Sequence, residues 1–312
     1  MSSIRTLKSF LAVARLGSFS AAGKEIGLTA AAVGQQIRAL EDELRKVLFD
    51  RSGRAIVLNT AGRGMVAPVK DLVARYEALA AGERGDQLSG TVVMGALVSA
   101  LMGAFADSLW ALTREHPDLD VTLFAGQSAD FAAKVDRGEL DAAVVTQPPM
   151  RLPSNLVWTA LYTEPMVLIV PSKPHFPLPH DGVGMLARCP FLRFERRTWT
   201  GHLVDEALAQ CAAVVATRME LNSLEAIVAL VRQGFGVSIV PQLANLDWSR
   251  DRALRIVPLP GVDVSRSVGL LERRQHSRER VTEAIKAYFA SSSLPKRRQS
   301  TRLAAPETSR HK

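Results

Sequence analysis

The chain has 312 residues, of which 47% are hydrophobic and only two are cysteine, and its formal net charge at pH 7 is +8. This length predicts two or three domains, and two cysteines are too few for a disulfide scaffold. The sequence contains no run of about 18 uncharged apolar residues and no basic patch followed by an apolar run at its start. We therefore expect a soluble, cytoplasmic protein that lacks a membrane span and a signal peptide.

The positive charge is concentrated at the two ends of the chain. Residues 1–60 carry nine Lys and Arg against five Asp and Glu, residues 61–295 carry 24 against 25, and residues 296–312 carry six against one. A neutral body with a basic N-terminal segment is the distribution that phosphate binding at one end requires. The basic C-terminal tail has no apolar period, which predicts disorder there.

Three short amphipathic stretches lie near the N-terminus, and the tight turn Gly27-Leu28-Thr29 joins the second to the third. Each stretch repeats apolar residues at helical spacing. The three stripes are Leu7, Phe10, Leu11 and Ala14; Phe19, Ala22 and Ile26; and Val33, Ile37, Leu40 and Leu44. Three helices around a small core, with one face of the last helix left free, are the plan of a helix-turn-helix domain that binds DNA.

A β-prone run over 55–58 follows a turn at Ser52-Gly53 and predicts a two-stranded wing. Arg51 and Arg54 would lie at its tip or base, where guanidinium groups reach phosphate oxygens beside the groove. The plainer alternative is two solvated arginines on a loop.

A long helix is predicted from Thr60, which can cap it, to about Glu83. Pro68 interrupts it and favours a kink. One face carries an apolar seam that favours pairing with a second copy of the chain, packing against the helix-turn-helix core being the alternative. The seam consists of Met65, Val69, Leu72, Val73, Tyr76, Leu79 and Ala80.

Residues 91–290 alternate β-prone runs with helical periods. Helices are predicted over about 101–115, 130–137, 201–211 and 278–289, with strands between them. This alternation predicts right-handed βαβ units, a parallel sheet and two α/β lobes with a cleft between them.

Both halves of the chain resemble LysR-type transcriptional regulators, over about residues 1–290. The N-terminal half does so through GSFSAAG, QQIRALEDEL and NTAGR, and the C-terminal half through HPDLDVTL, GELDAAVV and VRQGFGVSIVPQL. The resemblance implies an α/β protein with an N-terminal winged helix-turn-helix plus a long linker helix, then a two-lobed α/β effector-binding domain of the periplasmic-binding-protein type. The corresponding segments are residues 1–59, 60–89 for the linker and hinge, 90–294 for the effector domain, and 295–312 for the basic tail.

The resemblance also implies a regulator and not an enzyme. Its partners would be double-stranded promoter DNA, a small-molecule effector and further copies of the chain in a homodimer or homotetramer, with RNA polymerase as a further candidate. No cofactor, metal or membrane is implied. Whether the protein activates or represses transcription is left open by the sequence.

The recognition helix departs from the usual family pattern, because Thr29-Ala30 stands where Ser-Gln is common. An alanine side chain cannot hydrogen-bond a base edge, so readout is expected from Thr29 and its neighbours. We assign Gln35 and Gln36 to bases, and Arg38, Arg51 and Arg54 to phosphates.

Family position places a set of mostly hydroxyl and amide residues along the cleft. Such groups, aided by helix N-termini, hold a carboxylate without a lysine and predict a small carboxylate-bearing metabolite. The set is Ser99, Ala100, Gln127, Ser128, Thr146, Gln147, Trp199, Thr200 and Asn222. Ordinary helix capping is the alternative for each polar residue alone, and simple packing is the alternative for Trp199.

Two other functions compete with a metabolite-responsive regulator. A redox sensor would use Cys189 and Cys211, but both lie in apolar patterns typical of small buried residues. An enzyme or small-molecule-binding protein could be built on the C-terminal half. Against an enzyme, the six histidines are scattered without metal-ligand or triad spacing.

Overall fold

The computed structural model describes residues 3–50, 56–81, 87–244 and 248–292. Its N-terminal part contains three helices, a short antiparallel β-pair and a long helix. These elements are α1 (Ile4–Leu16), α2 (Phe19–Ile26), α3 (Ala30–Leu44), β1 (Phe49–Asp50), β2 (Val57–Leu58) and α4 (Thr60–Ala81). The predicted turn at Ser52-Gly53 lies outside the described residues.

Local capping fixes the ends of the first three helices. The side chains of Ser3, Ser18 and Thr29 each accept a hydrogen bond from the backbone N–H three residues later. Gly27 ends α2 with a φ of 69°, a left-handed conformation that glycine adopts without strain and that turns the chain into α3. The apolar stripes then meet around Phe10 and Ile37, both fully buried.

The apolar seam of α4 divides between two environments. Val69 and Val73 are buried in the core of the first three helices, whereas Leu72 and Tyr76 are 53% and 52% exposed in the single chain. The helix continues through Pro68. The expectation of a cap at Thr60 is wrong: Asn59 Oδ1 accepts the hydrogen bond from the N–H of Gly62 at 2.9 Å, so Asn59 caps the helix.

The first lobe contains a sheet with helices on its faces. The strands are β3 (Gly90–Ala96), β4 (Leu119–Ala125), β5 (Ala142–Thr146), β11 (Ser265–Arg273) and the first part of β6 (Leu156–Pro171). The helices are α5 (Val98–Leu101), α6 (Ala104–Glu115), α7 (Ser128–Asp136) and α11 (Glu279–Ser291). Separate apolar clusters cover the two faces of the sheet, one around Phe105 and Phe289 and one around Phe131 and Leu271.

The second lobe is built on the last part of β6. There β6 pairs with β9 (Ser238–Pro241) and β10 (Leu254–Val257), and β7 (Phe191–Phe194) runs parallel to β8 (Thr217–Leu221). Its helices are α8 (Gly182–Arg188), α9 (Trp199–Gln210) and α10 (Leu224–Arg232). The lobes meet where β6 changes partners, next to the Pro165–Ser265 pair.

Two sequence expectations need correction. The sheet is mixed and not purely parallel, because β3 runs parallel to β4 and β5 whereas β11 runs antiparallel to both β5 and β6. The helix expected from about Leu101 is interrupted, since the backbone of Gly103 is extended and separates α5 from α6. None of the described helices combines the length and the apolar character needed to cross a membrane.

Polar contacts fasten α4 to the first lobe. Lys70 Nζ lies 2.9 Å from Asp141 Oδ1, while Asp141 Oδ2 accepts a hydrogen bond from the N–H of Val93 in β3 at 2.8 Å. Asp71 Oδ1 accepts hydrogen bonds at 3.1 Å from both the N–H and the hydroxyl of Ser277. The carboxylates of Asp141 and Asp71 therefore join α4 to the first lobe, at β3 and at the turn before α11.

We expect opposite effects from alanine at two neighbouring glycines of α4. A Cβ at Gly62 would lie 2.1 Å from the carbonyl oxygen of Leu48, whereas a Cβ at Gly64 meets nothing within 4 Å. Gly62→Ala should lower the free energy of unfolding by about 1–3 kcal/mol through overpacking. Gly64→Ala should leave it unchanged or raise it by up to about 1 kcal/mol, because alanine favours a helix. Urea denaturation followed by circular dichroism measures both, and equal effects would contradict the close approach of α4 to β1.

The junction of β11 and α11 contains a carboxylate held by several donors. Burial alone raises the pKa of Glu272, but hydrogen bonds from His276, Lys286 and Thr282 outweigh it and lower the pKa to about 2. The His276 Nε2 to Glu272 Oε2 distance is 3.1 Å, and the Lys286 Nζ to Glu272 Oε1 distance is 2.7 Å. The ionised carboxylate therefore stabilises the folded state.

The pH dependence of stability should carry the signature of Glu272. Because its folded-state pKa lies below the usual value of about 4.3, its contribution is present above that value and is lost as the pH falls towards 2. Glu272→Gln should therefore destabilise the protein more at pH 6 than at pH 3 in urea titrations. The control is Glu283→Gln, since Glu283 also pairs with Lys286 but its side chain is 62% exposed. A difference between wild type and Glu272→Gln that is independent of pH would refute this account.

Candidate DNA-binding and effector-binding sites

The exposed face of α3 carries two of the predicted DNA-contacting residues. Gln35 and Arg38 are exposed, whereas the buried Val33 and Ile37 anchor the opposite face of the helix in the core. Thr29 is also exposed, but its hydroxyl oxygen caps α3 by accepting a hydrogen bond from the N–H of Ala32 at 3.2 Å. The first turn of α3 is thus fixed by Thr29, and Gln35 projects one turn further along.

Gln36 has a different environment from Gln35. It is half-buried, and its Oε1 accepts a hydrogen bond from the hydroxyl of Ser9 in α1. This bond leaves only the amide N–H groups of Gln36 for another partner. Arg51 and Arg54, predicted to reach phosphates from the wing, lie outside the described residues.

A small cavity, here called the cleft cavity, lies between the two lobes and has a volume of about 110 Å³. Four of the predicted effector-binding residues line it, namely Ser99, Gln127, Thr200 and Asn222. Arg266, Glu225, Thr198 and Ser223 also line it and were not predicted. Ends of β3 and β4 supply one wall, and the starts of α9 and α10 supply the other.

Three other predicted residues line a second, larger cavity of about 760 Å³. They are Thr146, Gln147 and Trp199, and His202, Glu206 and Asp263 also line this cavity. Trp199 is 5% exposed and packs into the apolar cluster around Phe131, so its main contact is with the first lobe. The buried Thr146 Oγ1 has no hydrogen-bond partner among the described residues.

The last two predicted residues line neither cavity. Ala100 is fully buried in the apolar core of the first lobe. Ser128 is buried at the start of α7, where its hydroxyl accepts a hydrogen bond from the N–H of Thr146 at 3.2 Å. The nine residues expected along one cleft are therefore divided between two cavities, the core and a helix end.

A buried ion pair stands behind the cleft cavity. Arg266 on β11 and Glu164 on β6 are direct cross-strand partners, with exposures of 2% and 0%. The Nε and Nη2 of Arg266 both donate to Glu164 Oε2, the first at 2.8 Å, and Nη1 donates to the Ser99 hydroxyl at 3.1 Å. The N–H of Ala244 donates to the other Glu164 oxygen at 3.3 Å. The pair thus connects the point where the lobes cross with the predicted ligand residue Ser99.

A hydrogen bond joins the lobes at the cleft cavity. Gln127 Nε2, in the first lobe, donates to the backbone oxygen of Asn222, in the second lobe, at 2.8 Å. Next to it, the Ser223 hydroxyl caps α10 and donates to Glu225 Oε2 at 2.7 Å. Glu225 Oε1 is buried and has no hydrogen-bond partner within the described part of the chain.

Both cysteines are free thiols, and each contacts a backbone carbonyl. Burial raises the pKa of the Cys189 thiol, which lowers the fraction of reactive thiolate. Its S–H points to the Pro177 carbonyl at 3.7 Å, and that of Cys211 points to the Ala207 carbonyl at 3.2 Å. These contacts give no support to the redox alternative.

A winged helix-turn-helix joined by a linker helix to two lobes with a cleft defines a DNA-binding regulator with an effector domain. Residues 4–63 match the model of the bacterial regulatory helix-turn-helix proteins of the lysR family, and residues 85–292 match the LysR substrate binding domain. The chain therefore belongs to the LysR family of transcriptional regulators.

Known proteins resemble the chain along most of its length. The HTH-type transcriptional regulator YnfL of Escherichia coli is 27% identical over 284 residues, which cover 88% of this chain and 93% of YnfL. A variant of full-length OxyR from Pseudomonas aeruginosa is 21% identical with a TM-score of 0.73, covering 95% of this chain and 97% of OxyR. Full-length CbnR, solved with its target DNA, is 19% identical with a TM-score of 0.57, covering 92% and 98%. The two structural likenesses show a shared fold.

Substitutions at the adjacent glutamines should have different consequences. Gln35→Ala should reduce the preference for a specific operator over scrambled DNA by about 5- to 150-fold, the effect of losing one bidentate base contact, and should leave stability unchanged. Gln36→Ala should lower the melting temperature slightly, because the Ser9 hydroxyl loses its link between α1 and α3 and keeps only the Arg5 carbonyl of its own helix as an acceptor. Fluorescence anisotropy and thermal denaturation measure the two effects. Unchanged operator preference in Gln35→Ala would remove Gln35 from base readout.

Proposed function

We propose that this LysR-type regulator binds a small carboxylate-bearing metabolite in the cleft cavity and that binding changes its contacts with promoter DNA. The observation that carries the proposal is the state of the Ser99 hydroxyl. Because Ser99 Oγ already accepts a hydrogen bond from Arg266, the hydroxyl hydrogen is available to donate to a ligand oxygen.

Further donors lie around the same cavity. Arg266 Nη1 carries a second N–H, and Thr200, a hydroxyl-bearing residue at the start of α9, lines the cavity. These groups suit a carboxylate, which accepts several hydrogen bonds at once and gains most from donors that are charged. The volume of about 110 Å³ corresponds to several water molecules and therefore to a ligand of few heavy atoms.

A ligand in this cavity contacts both lobes and would favour the lobe spacing that it fits best. Through linkage, such a preference changes the populations of arrangements that the whole protein adopts. The exposed Leu72 and Tyr76 of α4 support association with a second copy, in a homodimer or homotetramer, through the linker helix. Paired recognition helices would then read two half-sites, and ligand binding would alter the separation that they span. RNA polymerase as a further partner is proposed from the family resemblance alone.

The function is tested with DNA from upstream of the protein's own gene and a scrambled fragment, in fluorescence anisotropy across a salt series. Wild type should prefer the upstream fragment. A panel of small carboxylates, including α-amino and α-hydroxy acids, should contain a member that raises the melting temperature and shifts DNA affinity. Ser99→Ala should lower the affinity for that ligand by about tenfold.

The matched control is Ser154→Ala, since Ser154 is exposed on a loop and lines neither cavity. Equal, steeply salt-dependent binding to both fragments would show that only the basic end acts on DNA. A ligand that binds Ser99→Ala and wild type equally well would place the effector outside the cleft cavity.

A further inference from the structure

The charges around the cleft cavity do not balance. Among the described residues that line it, only Arg266 and Glu225 are charged, and Glu164 lies directly behind Arg266. Arg266 and Glu164 neutralise each other, so the carboxylate of Glu225 leaves the region with one net negative charge. A simple carboxylate ligand would add a second negative charge to the same small space, which is unfavourable at low local dielectric.

Glu225 is the group whose hydrogen bonding is incomplete. Its Oε2 accepts from the Ser223 hydroxyl at 2.7 Å, but its buried Oε1 has no hydrogen-bond partner within the described residues. A buried carboxylate oxygen without a donor costs free energy that a ligand donor would recover.

We propose that the ligand of the cleft cavity is a small zwitterion of the α-amino-acid class, whose ammonium group is bound by Glu225. This inference rests on the proposed function, since the carboxylate of the same ligand binds Ser99 and Arg266. An ammonium group supplies N–H donors to Glu225 Oε1 and neutralises its charge, so the occupied cavity carries no excess charge from the ligand.

The two charged ends of the ligand would contact different lobes. Ser99 lies in the first lobe, and Arg266 lies on β11 beside the crossing of the lobes. Glu225 lies in the first turn of α10 in the second lobe. A molecule with only one of the two charges satisfies one lobe and leaves the other group unpaired. Specificity for the zwitterion follows from the rejection of ligands that leave a buried polar group without a partner.

The test uses isothermal titration calorimetry on the full chain, with the twenty proteinogenic L-amino acids and, for each one that binds, the α-hydroxy acid of the same side chain. Replacing ammonium by hydroxyl keeps the carboxylate and nearly the same shape. Wild type should bind at least one small amino acid and bind the matched hydroxy acid roughly 10- to 100-fold more weakly.

The variant Glu225→Gln separates ligand binding from helix capping. The affinity of Glu225→Gln for the amino acid should be lower than that of wild type by a similar factor of roughly 10 to 100. The same variant should leave the hydroxy acid unchanged or bind it more tightly, because the negative charge is removed. Its melting temperature without ligand should stay close to that of wild type, since glutamine can still accept a hydrogen bond from Ser223. Glu206→Gln is the control, because Glu206 is exposed and lines the larger cavity instead.

Each other outcome counts against the zwitterion. Equal binding of amino and hydroxy acids, or binding of hydroxy acids alone, would overturn the zwitterion proposal. If Ser99→Ala weakened the binding of those ligands, the proposed carboxylate site would still stand. Amino-acid binding that is lost in Glu206→Gln but kept in Glu225→Gln would move the site to the larger cavity. Binding of neither class would overturn both the zwitterion and the carboxylate site.

Discussion

The Glu164–Arg266 ion pair is the interaction on which the arrangement of the effector domain depends. Both residues are buried where β6 and β11 cross from one lobe to the other. Removing one partner of such a pair leaves an uncompensated buried charge and costs about 3–5 kcal/mol. An apolar pair could fill the same space, but it could not make the hydrogen bonds that the ion pair extends to Ser99 and Ala244. Its value therefore lies in fixing the orientation of polar groups at the cleft.

That orientation gives the two walls of the cleft different chemistry. The wall formed by the first lobe and the crossing strands presents hydrogen-bond donors, through Ser99 and Arg266, and the wall formed by α10 presents an acceptor, Glu225 Oε1. Gln127 already joins the walls by its bond to the Asn222 carbonyl. A ligand that completes both sets of hydrogen bonds would stabilise the same juxtaposition of lobes that this hydrogen bond between the lobes favours.

The elements of the fold were largely predictable because their signals are local. The apolar stripe from Val33 to Leu44 predicts α3 without any knowledge of the rest of the chain. α9 and α11 begin within two residues of their predicted starts. The mixed sheet was not predictable in this way. Strand direction depends on the return of β11 to the first lobe, and no local periodicity records that pairing.

The site was less predictable than the fold for the same reason. Glu164 and Arg266 are 102 residues apart, and the local sequence around either residue does not indicate that the other is its partner. One signal was available: each is a charged residue within a β-prone apolar run, and a charge in a buried strand requires a partner. The same signal also marks Arg193, which is buried on β7 and paired with Asp205, so it does not by itself identify the cleft.

The contacts of α4 determine which part of the molecule is able to move. One carboxylate, Asp141, holds both Lys70 of the linker helix and the backbone of β3, and Asp71 holds the turn before α11. These contacts hold α4 and the first lobe together, and we expect them to move as one body. The second lobe takes part in none of these contacts. A ligand that changed the spacing of the lobes would therefore move the second lobe relative to α4 and the first lobe, which stay together with the recognition helix at their far end.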